Sequence, residues 1–197
     1  MDLYLNFKKD NRNILFYSLL HDDYDHFVKS LFDYSSLIDE TTEHQESLLH
    51  YACFYGMIDK FYALINMGAK IEKTKSGNTL LHYACLTGKD NFLIVELVKS
   101  EFVPNEPNHK GETPLHYCAN EKIAHYLNLW CQRNKVNIID IKDNLGNNVL
   151  HIAKKLNHGD TAQYWLRHYP QLDTQTNFKN ETWKDLNFDT TINCIWK

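Results

Sequence analysis

One short pattern recurs along the 197-residue chain at a nearly fixed interval, and no other feature limits its possible folds as strongly. It reads Ser47-Leu48-Leu49-His50-Tyr51-Ala52, Thr79-Leu80-Leu81-His82-Tyr83-Ala84, Thr113-Pro114-Leu115-His116-Tyr117-Cys118 and Asn148-Val149-Leu150-His151-Ile152-Ala153, with the histidines 32, 34 and 35 residues apart. Steps of 34 residues outward reach Phe16 in one direction and Asp185 in the other, where both flanks read as eroded copies. Each copy opens on a residue able to cap a helix, namely Asn13, Ser47, Thr79, Thr113, Asn148 or Thr182, which predicts six helices starting in phase. Pro114 takes the first helical position, where its missing N–H costs nothing. Gly56, Gly88 and Asn157 tolerate the left-handed conformation that ends a helix, so these first helices are short. A second apolar periodicity follows in each copy, as in Phe61, Leu64 and Ile65, or Phe92, Val95, Leu97 and Val98, or Ala162, Trp165 and Leu166. Between copies lie polar turns such as Thr74-Lys75-Ser76-Gly77-Asn78, Asn108-His109-Lys110-Gly111-Glu112 and Asp143-Asn144-Leu145-Gly146-Asn147. A unit of helix, turn, helix and loop this small cannot bury its own apolar face, so consecutive copies must stack and share one elongated core.

Composition narrows the function classes. Hydrophobic residues at 43% and charged residues at 23% fit a packed globular chain rather than a disordered one. The formal charge of −4, with no run of Lys or Arg longer than two, argues against a nucleic-acid or anionic-membrane surface. Charge is uneven, however: residues 1–73 carry 7 basic and 12 acidic side chains, against 14 and 13 in 74–197, so a basic partner meets the N-terminal third first. No apolar stretch approaches a membrane span and the start lacks a signal peptide's pattern, which reads as a cytoplasmic protein. Its five cysteines contain no C-x-x-C pair and read as free thiols.

The residues Thr113-Pro114-Leu115-His116, with Gly77-Asn78-Thr79-Leu80-Leu81-His82 and Leu64-Ile65-Asn66-Met67-Gly68-Ala69, resemble the signature of the ankyrin repeat family. The resemblance spans roughly residues 8 to 190 and implies an all-α solenoid of stacked helix-turn-helix units joined by β-turn or hairpin-like loops. The expected division is a degenerate N-terminal capping repeat over 1–41, four repeats over 42–73, 74–107, 108–142 and 143–176, and a truncated C-terminal capping repeat over 177–197, with Trp183 covering the last apolar face. The third repeat departs from the pattern twice: no glycine separates its helices at Cys118 to Ile123, and its loop is enlarged at Lys135 to Ile138.

Catalytic and metal readings fare poorly on geometry. His50, His82, His116 and His151 sit one per unit, and stacked helices lie roughly 8–10 Å apart, whereas zinc ligands converge at about 2 Å, so each imidazole is expected to bond within its own turn. The pairs His50 with Cys53 and His82 with Cys85 recur, while a thiol centre is normally unique; Ala119 fills the next equivalent position, marking a close helix contact instead. Asp22, Asp23 and Asp25 lack calcium-loop spacing and read as a solvated acidic edge. No cofactor and no metal are expected. The Tyr17, Tyr51, Tyr83 and Tyr117 column keeps the repeat's phase and reads as inter-unit packing.

Residues that break phase carry the functional signal. At the ends of the first helices stand Phe54-Tyr55, Leu86-Thr87, Asn120-Glu121 and Lys155-Leu156, which differ in every copy. By the resemblance, these positions and the turn tips line a concave face on which protein partners dock. The candidate contacts are Glu43, His44, Glu46, Phe54, Tyr55, Lys75, Ser76, Asn78, Leu86, Thr87, His109, Lys110, Glu112, Asn144 and Leu145, with Phe54 and Tyr55 as aromatic anchors. The expected function is non-catalytic docking by a chain that is monomeric when unbound. One consequence is inhibition of a cognate enzyme or toxin, as an immunity protein does. The alternative is a secreted bacterial or viral effector recruiting a host protein, and a metal-dependent or thiol hydrolase is the remote third.

Overall fold

A computed structural model describes residues 14–100 and 102–187. The cap expected at Asn13 and one of the five cysteines, Cys194, lie outside these residues. Among the described residues the chain is helical, with one isolated bridge between Thr41 and Ser47. The helices are α1 (Ile14–His21), α2 (Tyr24–Asp33), α3 (Leu48–Tyr55), α4 (Ile58–Asn66), α5 (Leu80–Thr87), α6 (Asn91–Lys99), α7 (Glu121–Arg133), α8 (Val149–Lys155) and α9 (Gly159–His168). They form two layers. The first helices of successive units, α1, α3, α5, a 3-10 turn at Pro114–Tyr117 and α8, pack side by side, with α2, α4, α6, α7 and α9 behind them. Leucines at equivalent positions, Leu48 and Leu49, Leu80 and Leu81, and Leu115 and Leu150, fill the seam at 0–1% exposure, giving the shared core that the repeat demands.

Helix ends follow the sequence signals. Gly56 and Gly88 close α3 and α5 at φ of 68° and 57°, and Asn157 supplies the same left-handed step after α8 at 60°. Each start is a reciprocal box. The Ser47, Thr79, Thr113 or Asn148 side chain accepts the N–H of the histidine three residues on, and that histidine's ring reaches back to the cap N–H. Nδ1 lies 3.1, 3.1, 2.9 and 3.3 Å from the cap nitrogens of His50, His82, His116 and His151 respectively. The imidazole therefore bonds within its own turn, as its spacing predicted.

The other ring nitrogen does something the sequence did not announce. With Nδ1 accepting, the proton sits on Nε2, which in His82 donates to the Glu112 carbonyl at 3.1 Å and in His116 to Asn147 at 3.3 Å; in His151 Nε2 lies 3.0 Å from the Glu181 carbonyl, and Nδ1 also lies 2.7 Å from the Asn148 side-chain oxygen. Three of the four imidazoles thus join one unit to the next. His50 makes the weakest version: the Asn78 carbonyl acts on it, but Nε2 has no hydrogen bond of proper length. A second cross-unit tie sits at the N-terminal end. Lys60 of α4 donates to the Leu19 and Asp22 carbonyls at 2.6 and 2.7 Å, capping the C-terminus of α1, while its ammonium lies over the Phe27 ring. Between α7 and α9 the buried Asn128 amide donates to the Tyr164 hydroxyl at 3.0 Å and accepts from Tyr169 at 2.5 Å.

The third unit is distorted where its sequence departs. Thr113 and Asn120 are both helix caps, and the segment between them is several residues shorter than the Ser47 to Met57 or Thr79 to Asp90 segments that hold a whole helix and turn. Only the 3-10 turn fits; the missing turns reappear as the length of α7, and Lys135 takes a positive φ of 58° in the enlarged loop. The expected sixth helix at Thr182 does not form. Asp185 replaces histidine there, and its carboxylate takes the Thr182 N–H and hydroxyl at 2.8 and 2.6 Å, closing only a turn. Trp183 is half-buried against the core and donates to Asp173 at 2.9 Å.

Burial holds His50 and His82 down to about 4, below their ordinary range. The unfolded chain binds these protons first, so stability is full above about pH 6.5 and falls as pH drops toward 4. Urea unfolding across this window is expected to show up to about a tenfold loss in folding equilibrium per pH unit per histidine, and His82→Gln is expected to flatten the slope. A midpoint constant from pH 7 to 4.5 would contradict the buried neutral assignment.

Candidate partner-docking face

Five turns of one design stand in a row: Thr42–Glu46, Thr74–Asn78, Asn108–Glu112, Asp143–Asn147 and Asn177–Glu181. In each, the first residue's side-chain oxygen accepts the N–H of the residue four later, at 3.2, 3.1, 3.0, 2.8 and 3.1 Å in chain order. The first N–H also donates to the carbonyl of that fifth residue, at 2.8–3.0 Å, which closes each turn. Gly77, Gly111 and Gly146 hold φ near 80° at the fourth position, and Gln45 and Asn180 take the same conformation at about 60°.

One main-chain bond joins each turn to the next. Lys75 donates to the His44 carbonyl, His109 to Ser76, Asn144 to Lys110 and Phe178 to Leu145, at 2.9, 2.9, 2.9 and 3.0 Å. Buried amides reinforce this ladder, Asn108 to Asn78 at 2.8 Å and Asn177 to Asn147 at 3.1 Å. The glycines serve the stacking as well: a Cβ on Gly77 would meet the His109 ring at 2.8 Å, and one on Gly146 the Phe178 ring at 2.7 Å. The second residue of each of the last three turns therefore lies across the glycine of the turn before.

With the first, fourth and fifth positions spent on the scaffold, the second and third face solvent. These are Glu43 and His44, Lys75 and Ser76, His109 and Lys110, Asn144 and Leu145, and Phe178 with Lys179, all exposed. Glu46, Asn78 and Glu112 stand apart from them. Asn78 is 6% exposed and bonds Asn108 and Ser76. Glu46 accepts from the Tyr83 hydroxyl at 2.6 Å and from Thr42, and Glu112 accepts from Tyr117 at 2.5 Å and from Asn108. Burial, with the neighbouring carboxylates adding to it, pushes the Tyr51, Tyr83 and Tyr117 hydroxyls far above their ordinary range, so they stay protonated donors. The tyrosine column is packing, anchored at its polar ends; Tyr17, where the stack begins, is 56% exposed.

Phe54 and Tyr55 are half-buried. Their rings meet edge to face at 5.1 Å, Phe54 also leans on Tyr83 at 6.4 Å, and the Lys89 ammonium lies 5.0 Å over Tyr55. Thr87, in the equivalent place one unit on, donates to the Phe54 carbonyl at 2.7 Å. Leu86 borders a shallow dent, about 10 Å³, between turn and helix, lined also by Asn78, His82, Tyr83 and Tyr117.

Phe178 and Lys179 were missed by the sequence reading, which treated 177–197 as a truncated cap. The signal was present: a step of 34 from Asn144 and Leu145 lands on them, and Asn177 repeats the role of Asp143. Aspartate substituted for histidine at 185 erased the helix but left the preceding turn intact.

Chemically the face presents charge, amide and apolar groups without a convergent reactive centre. Among the described residues no group of three or more His, Cys, Asp or Glu could hold a metal ion. Cys53, Cys85, Cys118 and Cys131 are free and buried, and burial pushes their thiols up, Cys131 to about 12, opposite to what a nucleophile needs. Treated at pH 8 with iodoacetamide, these four are expected to stay unmodified in the native protein and to react fully in urea, as peptide mass spectrometry reads directly. Rapid native labelling of Cys53 or Cys85 would reopen thiol chemistry.

No helix among the described residues is long and apolar enough to cross a membrane. A family model described as ankyrin repeats in three copies matches residues 49–140, and a search of curated proteins finds no match. The matched span begins inside α3 and ends with the enlarged third loop, covering the histidine signatures at 50, 82 and 116. Ankyrin repeats are protein–protein interaction modules and the family is generally non-catalytic. Capped helices in phase, laddered turns and this match together make residues 49–140 an array of ankyrin repeats.

Proposed function

We propose that this protein acts by stoichiometric docking of a protein partner across the turn tips and the adjoining row of Phe54, Tyr55, Leu86 and Thr87. The observation that carries this reading is the five-turn ladder. It presents exposed, varied side chains on a backbone already fixed by hydrogen bonds, so binding orders little of the docking surface and its side chains set specificity. The surface is also polar along its length. The first unit offers exposed Asp23 and Asp25, and the first tip Glu43, whereas Lys75, Lys110 and Lys179 occupy later tips, an arrangement that orients a partner of matching charge pattern. Phe54 and Tyr55, aromatic and half-exposed beside the ladder, are the proposed anchors near its N-terminal end.

Affinity purification of native complexes tests the reading. Phe54→Ala or Tyr55→Ala is expected to weaken partner retention by about 1–2 kcal/mol, roughly tenfold, with the thermal melt recorded alongside because both rings also pack internally. Retention at full strength by both variants would remove the anchors, and failure of the unaltered protein to retain any partner at stoichiometry would remove the docking reading.

A further inference from the structure

The C-terminal end of the ladder differs in chemistry from the rest. Leu145 is 59% exposed and Phe178 is 75% exposed, the most exposed large apolar side chain among the described residues. They are joined through the Phe178 N–H and the Leu145 carbonyl at 3.0 Å, and the Phe178 ring lies against the Gly146 backbone where a Cβ would stand 2.7 Å away. In the row of third positions Leu145 falls between Lys110 and Lys179.

The lysines are unopposed. Neither Lys110 nor Lys179 makes an ion pair among the described residues, although five lysine or arginine pairs form elsewhere. The nearby carboxylates are turned into the scaffold. Glu112 takes the Tyr117 hydroxyl and the Asn108 amide, Asp143 takes the Leu145 and Asn147 N–H groups, and Glu181 takes the Asn177 amide at 3.0 Å. A chain of net charge −4 thus holds, at one end of its tip row, an uncovered apolar pair flanked by two unpaired ammonium groups.

We infer that this end of the ladder receives an extended acidic segment of the partner protein that carries one bulky apolar side chain, which covers Leu145 and Phe178 while carboxylates on either side pair with Lys110 and Lys179. The inference rests on the docking function proposed above and names the partner chemistry at one end of it. A phosphate polymer fits less well: it would leave the apolar pair wet, and no arginine stands in the tip row to grip phosphate in two-point fashion.

The test uses the full chain and labelled synthetic peptides followed by fluorescence anisotropy. The probe alternates aspartate and serine around one central tryptophan; two controls replace the tryptophan by serine, or the aspartates by lysine. The probe is expected to bind at least about tenfold more tightly than either control, and to weaken as salt rises from about 50 to about 500 mM. Phe178→Ser and Leu145→Ser are each expected to cost about tenfold, and Lys110→Glu with Lys179→Glu to transfer preference to the lysine peptide; all four side chains are exposed, and circular dichroism checks that the fold persists. Equal binding of the serine-centred control, indifference to Phe178→Ser, tighter binding of oligothymidylate or of phosphatidylserine vesicles, or no saturable binding up to about 1 mM would each overturn the inference. A native complex that survives Phe178→Ser and Lys179→Glu unchanged would overturn it while leaving the docking function standing. Loss of stoichiometric capture by the unaltered chain would remove that function instead.

Discussion

The stack depends above all on neutral histidines, His82 and His116, that each grip two backbones at once. One ring nitrogen completes the cap of its own helix and the other holds a carbonyl of the following turn. Both halves are needed for the same reason: a buried imidazole with a free nitrogen, or a buried turn carbonyl with no donor, costs a substantial part of a small protein's net stability. Because the bond reaches the carbonyl directly before the next cap, it positions the next helix start as well as the next turn. Position is handed on from unit to unit, and this is how a chain of short helices, each too short to persist alone, builds a rigid face.

Rigidity and function meet at the turns. The scaffold uses polar side chains that would otherwise be free for recognition: Asn78, Glu46 and Glu112 are buried or half-buried and hydrogen-bonded internally. What remains for a partner is a narrow strip two residues wide per turn, plus the half-exposed row beside it. In the docking proposed above, each exposed side chain of that strip stands on backbone that has already lost its freedom.

Much of this was legible in the sequence, and what was not has identifiable causes. Caps, helix ends and the defect in the third unit follow from local chemistry: Ser47 and Thr79 before a histidine, Gly56 and Gly88 after, and the absent glycine near Ala119. The cross-unit bonds of His82 and His116 were hidden because their acceptors are main-chain carbonyls, which have no signature in a sequence. Glu46 and Glu112 look like surface charges in sequence; only the tyrosine hydroxyls beside them reveal an internal duty. Phe178 was obscured by the company it keeps, since the histidine that marks a unit is replaced by Asp185 while the turn chemistry of Asn177 survives.

The third unit's missing helix has one more consequence. Its main chain finds partners next door: Ala119 N–H reaches the Cys85 carbonyl at 3.0 Å, Leu115 N–H the Pro104 carbonyl at 3.2 Å, and the Cys118 carbonyl takes the Thr161 hydroxyl at 2.9 Å. Bonds that a helix would have kept to itself are exported to both sides. In a nearest-neighbour chain, a link with little stability of its own and strong couplings to left and right acts as a weld, so the halves it joins melt together and the strip of turns above them is kept or lost as a whole.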